Sequence, residues 1–212
     1  MFTAADAKLL ERDAELSALR ALVAEAREGR GGVALVEGPA GQGKSALLRA
    51  LRAEAGDVRV LSAVGAELEQ ELEYGVLGQL DAALEAPGEP ARARLGRLLV
   101  DAGPLLIVVD DAHWADAGSL HVLGMLARRV ETLPVALVLA VRPGADDALL
   151  DALYAAPRAV VLELAPLSED AVGRLLGEAA TPAFVAAVAE STGGNPLLVR
   201  ELRRITGPAD AA

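Results

Sequence analysis

Cysteine is absent from the 212 residues, which excludes disulfides and thiolate-held metal sites. Two histidines are too few for a histidine-rich metal site. Aromatic residues make up 2% of the chain, so its core has to be built mostly from Leu, Val and Ala. No apolar run approaches the roughly 18–20 residues that span a bilayer as a helix. The longest, 105–109 and 134–141, are of buried-strand length. The N-terminus has no basic region followed by an apolar stretch, so we expect no signal peptide and a cytoplasmic location. Positive charge is scarce too: 20 Lys and Arg face 31 Asp and Glu, for a net charge of -11. Phosphate contacts need a basic face, so direct nucleic-acid binding by this chain is not expected. There is no internal repeat, and no low-complexity segment beyond alanine richness. One ordinary domain remains, with length to spare for a small appended lid, and long enough to bury a core without staples.

The stretch around which the chain is organised is Gly38-Pro39-Ala40-Gly41-Gln42-Gly43-Lys44-Ser45. It fits G-x-x-x-x-G-K-[ST], a loop that binds the phosphates of nucleoside triphosphates. An apolar segment of strand length, 33–37, precedes it. Good helix formers starting at Ala46 follow, with apolar residues at helical spacing. Glycines at 38, 41 and 43 let successive N–H groups point into one concavity. A helix N-terminus adds partial positive charge there. Lys44 has the reach for the β- and γ-phosphate oxygens, and the Ser45 hydroxyl is a ligand for Mg²⁺.

Taken in order, the pattern predicts a helix over 14–28 and strands over 33–37 and 58–63. An acidic stretch, 67–73, leads to helices over 76–84 and 91–101, with a Pro-Gly break between them. Strands at 105–110 and 135–141 are apolar without alternation, as strands covered on both faces should be. A helix over 119–131 separates them. A short helix at 146–154 and a fifth strand at 159–164 follow. Three helices, 168–177, 182–191 and 196–205, close the chain. Alternating strands and helices predict a parallel α/β sheet with helices on both faces. We divide the chain into a nucleotide-binding core (1–166), a helical lid (167–206) and a frayed tail (207–212). Ligands then belong at the carboxyl ends of the strands, where Glu37, Asp110 and Arg142 should come together.

Asp110 ends an apolar strand, and a carboxylate there suits Mg²⁺ opposite Ser45. Asp111 is the better candidate for polarising an attacking water. The plainer alternative is an acidic residue that merely ends the strand. Asp116 is read as a helix cap, and Trp114 as packing at the sheet edge. His113 is a candidate for a contact with the γ-phosphate region or a neighbouring subunit. Arg142 is either a γ-phosphate sensor or a surface arginine. Arg128-Arg129 is read as a solvated helix terminus rather than an arginine finger. The turn Gly193-Gly194-Asn195-Pro196 is a C-cap followed by a first-turn proline. No guanine-binding Asn/Thr-Lys-x-Asp element occurs, so ATP is expected over GTP.

With these pieces in place, the chain resembles the signal-transducing STAND branch of AAA+-like ATPases. More narrowly, it resembles the ATPase module of large LuxR-type bacterial transcription regulators. The matching stretches are 10–16, the phosphate loop, 73–77, Asp110-Asp111-Ala112-His113-Trp114-Ala115-Asp116, Val141-Arg142-Pro143 and Gly194-Asn195-Pro196-Leu197-Leu198. The resemblance implies a P-loop NTPase of the ASCE type with strand order 5-1-4-3-2 and a short helical lid. It implies that Arg12 and its neighbours flank the adenine, that Arg142 is the sensor arginine and that Pro196 contacts the base. It also implies a switch holding ATP or ADP with Mg²⁺. On that resemblance ADP would keep a closed monomer, while ATP with an inducer would permit self-association; the sequence does not name the inducer or a partner protein. Asp111 stands where AAA+ motors usually carry Glu, which argues for slow hydrolysis. The output regions of such regulators are not among these residues. A turnover ATPase acting on a partner, and a non-catalytic interaction module, are the competing readings.

Overall fold

The structure is a computed structural model describing residues 9–82, 103–144 and 148–206. The helix predicted over 91–101 and the tail 207–212 lie outside the described residues.

Alternation along the strands separates two cores. The strands are β1 (Gly32–Glu37), β2 (Arg59–Val64), β3 (Leu105–Asp110), β4 (Val135–Val141) and β5 (Ala159–Glu163). Odd-numbered residues such as Leu35, Ile107, Leu137 and Leu139 face one side. Even-numbered Val36, Leu106, Val108 and Val138 face the other. Both sets are buried, so β1, β3 and β4 need apolar residues at consecutive positions. All pairings are parallel, in the order β2-β3-β4-β1-β5. Read from the other edge, this is the expected 5-1-4-3-2. At the edge, β5 leaves Val160 and Val161 exposed.

Helices α1 (Asp13–Arg27) and α2 (Lys44–Ala53) cover the even face. In α1 the buried residues Leu16, Leu19, Leu22, Val23 and Ala26 form a single helical stripe. Small residues opposite them, Ala34, Ala136 and Ala140, help fit these helices onto the sheet. The odd face is covered by α3 (Gly75–Ala82), α4 (Ala117–Ala127) and α5 (Ala148–Tyr154).

The helix predicted over 119–131 stops at Ala127, and a 3-10 turn follows at Val130–Thr132. Packing explains the break. Val130 is fully buried, and its carbonyl passes close to Gly31, just before β1. A Cβ on Gly31 would lie 2.5 Å from that carbonyl and 2.4 Å from that of Val135. A continued helix would not make this return to the sheet.

The last helices, α6 (Glu169–Leu176), α7 (Pro182–Thr192) and α8 (Pro196–Thr206), surround a third, smaller core. Leu10 joins it from the opposite end of the chain, beside Leu167, Val172, Val188 and Val199. Ser168 and Thr181 cap α6 and α7 by accepting from the amides of Ala171 and Phe184. Among the described residues, no helix is long and apolar enough to cross a membrane.

Candidate nucleotide-binding site

The phosphate loop joins β1 to α2 at the carboxyl end of the sheet. Gly41 and Gly43 have φ of +81° and +101°, in the left-handed region that favours glycine. They serve different ends. A Cβ on Gly41 would sit 2.6 Å from Asn195 Oδ1 and 2.7 Å from Leu197 Cβ, so α8 closes against it. A Cβ on Gly43 would meet nothing within 4 Å among the described residues, so its requirement is conformational. Gly43 is the N-cap of α2 and makes no side-chain cap bond. The first amides of this ten-residue helix are therefore placed to receive an anion.

Lys44 opens α2, and its side chain is buried. Its Nζ donates to the carbonyls of Gly38 at 2.6 Å and Pro39 at 3.0 Å. Burial lowers its pKa; Asp111 opposes that shift, Arg142 adds to it and Asp110 again opposes it. These groups act on Lys44 because they lie on neighbouring strands. β4 sits between β3 and β1, and Glu37 is level with Val141 across the β1–β4 pair. The predicted convergence of the three strand ends is therefore present. Ser45 and Ala46 follow in the first turn of α2, both half-buried.

Asp110 ends β3, and its Oδ1 accepts the amide of Asp111 at 3.0 Å. Asp111 itself is left-handed, with φ +46° and ψ +45°. An Asp tolerates that region better than most side chains, yet it remains uncommon, and such strain gathers at functional sites. Arg142, one residue beyond β4, is exposed, and its guanidinium lies 5.8 Å from the centroid of the Trp114 ring. That separation is within cation–π range. Tyr154 donates to Glu37 at the end of β1. Burial pushes the phenol of Tyr154 up, and the Glu37 contact adds to the shift. Among the described residues, no group of three or more His, Cys, Asp or Glu is arranged to hold a metal. A cation here would need phosphate oxygens as further ligands.

The expected cap role of Asp116 is present and goes further than expected. Its Oδ1 accepts the amide of Ser119 at 2.8 Å and that of Tyr74 at 2.8 Å, while Oδ2 accepts Val76 at 3.2 Å. Ser119 Oγ takes the amide of Leu77. One carboxylate thus starts α4 and fixes the entrance to α3. Arg128 and Arg129 are exposed at the end of α4.

The guanidinium of Arg12 is largely buried and spent on backbone carbonyls. Its Nη2 donates to the carbonyls of Ala165 at 2.6 Å and Gln42 at 3.3 Å, and its Nη1 to that of Glu11 at 2.7 Å. Glu11 in turn accepts the amide of Ser168 at 2.9 Å and the Ser168 hydroxyl. The segment therefore staples the phosphate loop to the start of the C-terminal helices. Pro196 is buried in the first turn of α8.

Asn195, read from sequence as part of a turn and of a stretch matching the family, contacts the phosphate loop, a role that the sequence reasoning missed. Its Nδ2 donates to Ala40 at 2.9 Å, while its Oδ1 accepts the amides of Leu197 and Leu198. The Leu197 amide also lies 3.3 Å from the Gly41 carbonyl. Three successive loop carbonyls, those of residues 40, 41 and 42, are thus held from outside the loop. The signal lay in the asparagine before the helix-starting proline, a capping position whose remaining N–H₂ was free to reach elsewhere.

Residues 8–139 match the AAA ATPase domain family, and the chain belongs to it. An uncharacterized protein of Rhizobium meliloti (strain 1021) is 27% identical over 92% of this chain, which spans 24% of that protein. Among solved structures, Cdc6p of Pyrobaculum aerophilum superposes with a TM-score of 0.69 at 17% identity, over 94% of this chain and 62% of the other. The Aeropyrum pernix ORC1 protein, solved in complex with DNA, gives 0.69 at 24% identity, over 95% of this chain and 60% of the other. The Thermotoga maritima RuvB Holliday junction branch migration motor gives 0.56 at 16% identity, over 91% and 60%. The fold is shared with all three.

Proposed function

We propose that the chain is an ATP-dependent regulatory switch that binds ATP with Mg²⁺ and hydrolyses it slowly. The observation that carries this reading is the joining of the phosphate loop to the C-terminal helices through Arg12, Asn195 and Leu197. Whatever occupies the loop bears on the same carbonyl row that seats α8. Those helices serve as the lid.

The residues fit the ligand. The open side of Gly43, the α2 amides and the Lys44 ammonium form an anion cradle. Ser45 and Asp110 would hold the metal, which when bound neutralises charge on the phosphate oxygens. In hydrolysis a water oxygen bonds to the γ-phosphorus, and the bond to the β–γ bridging oxygen breaks. The water's proton passes to the Asp111 carboxylate, and ADP and phosphate are the products. Arg142 takes the charge developing on the γ-phosphate. Arg12 and Pro196 border the base.

We further assign the chain to the ATPase part of a signal-responsive, STAND-type regulator of the LuxR kind, acting in the cytoplasm. This rests on the Asp110–Asp116 stretch together with the Asn195 turn. Nucleotide-dependent self-association and an inducer or partner protein complete the switch. With a net charge of -11, this chain does not itself carry the DNA contacts. Its likeness in fold to the RuvB motor keeps a turnover ATPase as the second reading.

Single-turnover hydrolysis compared with ADP release separates the two. A switch hydrolyses slowly and releases ADP more slowly still. Rapid cycling with prompt ADP release would favour the motor.

A further inference from the structure

His113 has no task in the scheme above, yet its surroundings are unusual. Its side chain is only 5% exposed, and neither ring nitrogen has a hydrogen-bond partner among the described residues. Buried polar atoms rarely stay unpaired, and an unpaired one at a site calls for a missing partner. Asp111 Oδ1 lies 3.9 Å from His113 Nε2, too far for a hydrogen bond and close enough for a small side-chain rotation to make one. The charges acting on the ring are Asp111, Arg142, Lys44 and Asp110. Burial lowers the pKa of the imidazole and outweighs the carboxylates. The neutral ring has one N–H to donate. On its other side the ring meets Trp114, with centroids 5.1 Å apart, and Arg142 lies over that indole. The backbone carbonyl of His113 accepts from Gln70.

We propose that His113 is the positioning residue for Asp111, donating from Nε2 to the Asp111 carboxylate when ATP occupies the loop. The inference rests on the reading of the site as an ATPase. The imidazole lies beside the Asp111 carboxylate and can supply it with a donor. The same ring lies against the Trp114 indole, over which the Arg142 guanidinium sits. Movement of Arg142 toward a γ-phosphate therefore frees the indole and lets His113 close on Asp111. His113 thus couples detection of the γ-phosphate to orientation of the base.

The test uses His113→Phe, which keeps an aromatic ring and removes the donor, and His113→Gln, which keeps a donor and removes the ring. Hydrolysis, ATP affinity and thermal stability are measured on the full chain. Trp114, the single tryptophan, reports the stack by its emission. Loss of an outer hydrogen-bond partner should slow single-turnover hydrolysis in His113→Phe by about 10- to 100-fold. Its ATP affinity should stay within about 2-fold of wild type, since the contact acts through the base. His113→Gln should recover much of the rate while being the less stable of the two. A packing role predicts the reverse order, with Phe the better replacement in both respects. The inference is overturned if His113→Phe hydrolyses at the wild-type rate, or if both variants lose rate in step with stability. Should wild-type protein fail to bind ATP, the site reading itself falls and takes this inference with it.

Discussion

At the residue scale, the account turns on two side chains with distinct tasks. Lys44 Nζ is held by the carbonyls of Gly38 and Pro39, pointing along the loop that should receive phosphate. A buried charge-assisted contact contributes about 1.5–3 kcal/mol, so Lys44→Ala should weaken ATP binding by about 10- to 100-fold. In the proposed mechanism Asp111 acts only in the chemical step. Asp111→Asn should slow hydrolysis by about 10²- to 10⁴-fold and leave ATP affinity nearly unchanged. Calorimetric binding and single-turnover assays read the two separately. Unchanged hydrolysis in Asp111→Asn would remove that residue from its role. The placement of the loop, Asp110 and Arg142 at strand ends was legible in the sequence, because each stands at the close of an apolar run or inside a local motif. The anchoring contacts of Arg12 and Asn195 were not. They join residues 153 and 155 positions apart, and nothing in local spacing encodes such a contact.

At the element scale, most helices and strands followed from periodicity and punctuation. Where they did not, as at the end of α4, a tertiary demand overrode local preference: Val130 had to reach the core. Asp116 shows how one cap can do more than end a helix. Burial works against its ionisation, but the hydrogen bonds from Ser119, Val76 and Tyr74 prevail and hold the carboxyl below its usual range. Asp116→Ala removes the cap and leaves two further buried or half-buried amides unpaired. The expected loss is about 2–4 kcal/mol, readable by urea unfolding. Because the folded-state pKa lies below the unfolded one, the stabilisation is complete above the unfolded value, about pH 3.9. It fades as pH falls through the lower, folded value. The gap between wild type and Asp116→Ala should therefore be widest near neutrality and narrow in acid. A gap that widened on acidification would mean that the carboxylate is not what the amides bind.

At the scale of the whole molecule, the sheet carries two broad cores, while the C-terminal helices close over a much smaller one. Regions with few buried apolar contacts open at lower free energy, so these helices should move before the sheet does. Bonds tie them to the phosphate loop through the Asn195 turn, and to Glu11 through Ser168 at the start of α6. Arrangement of the sheet was legible from the run of apolar strands and the family resemblance. The seating of α8 on the loop was not, because it depends on side-chain reach across a turn. A nucleotide-dependent switch requires that this seating differ with the ligand. Hydrogen exchange at the amides of Leu197 and Leu198, measured with Mg²⁺ and either ADP or ATP in Asp111→Asn protein, tests this most directly. The account predicts strong protection with ADP and a marked loss of protection with ATP. Equal protection in both states would contradict it, for the loop would then hold nucleotide without informing the helices beside it.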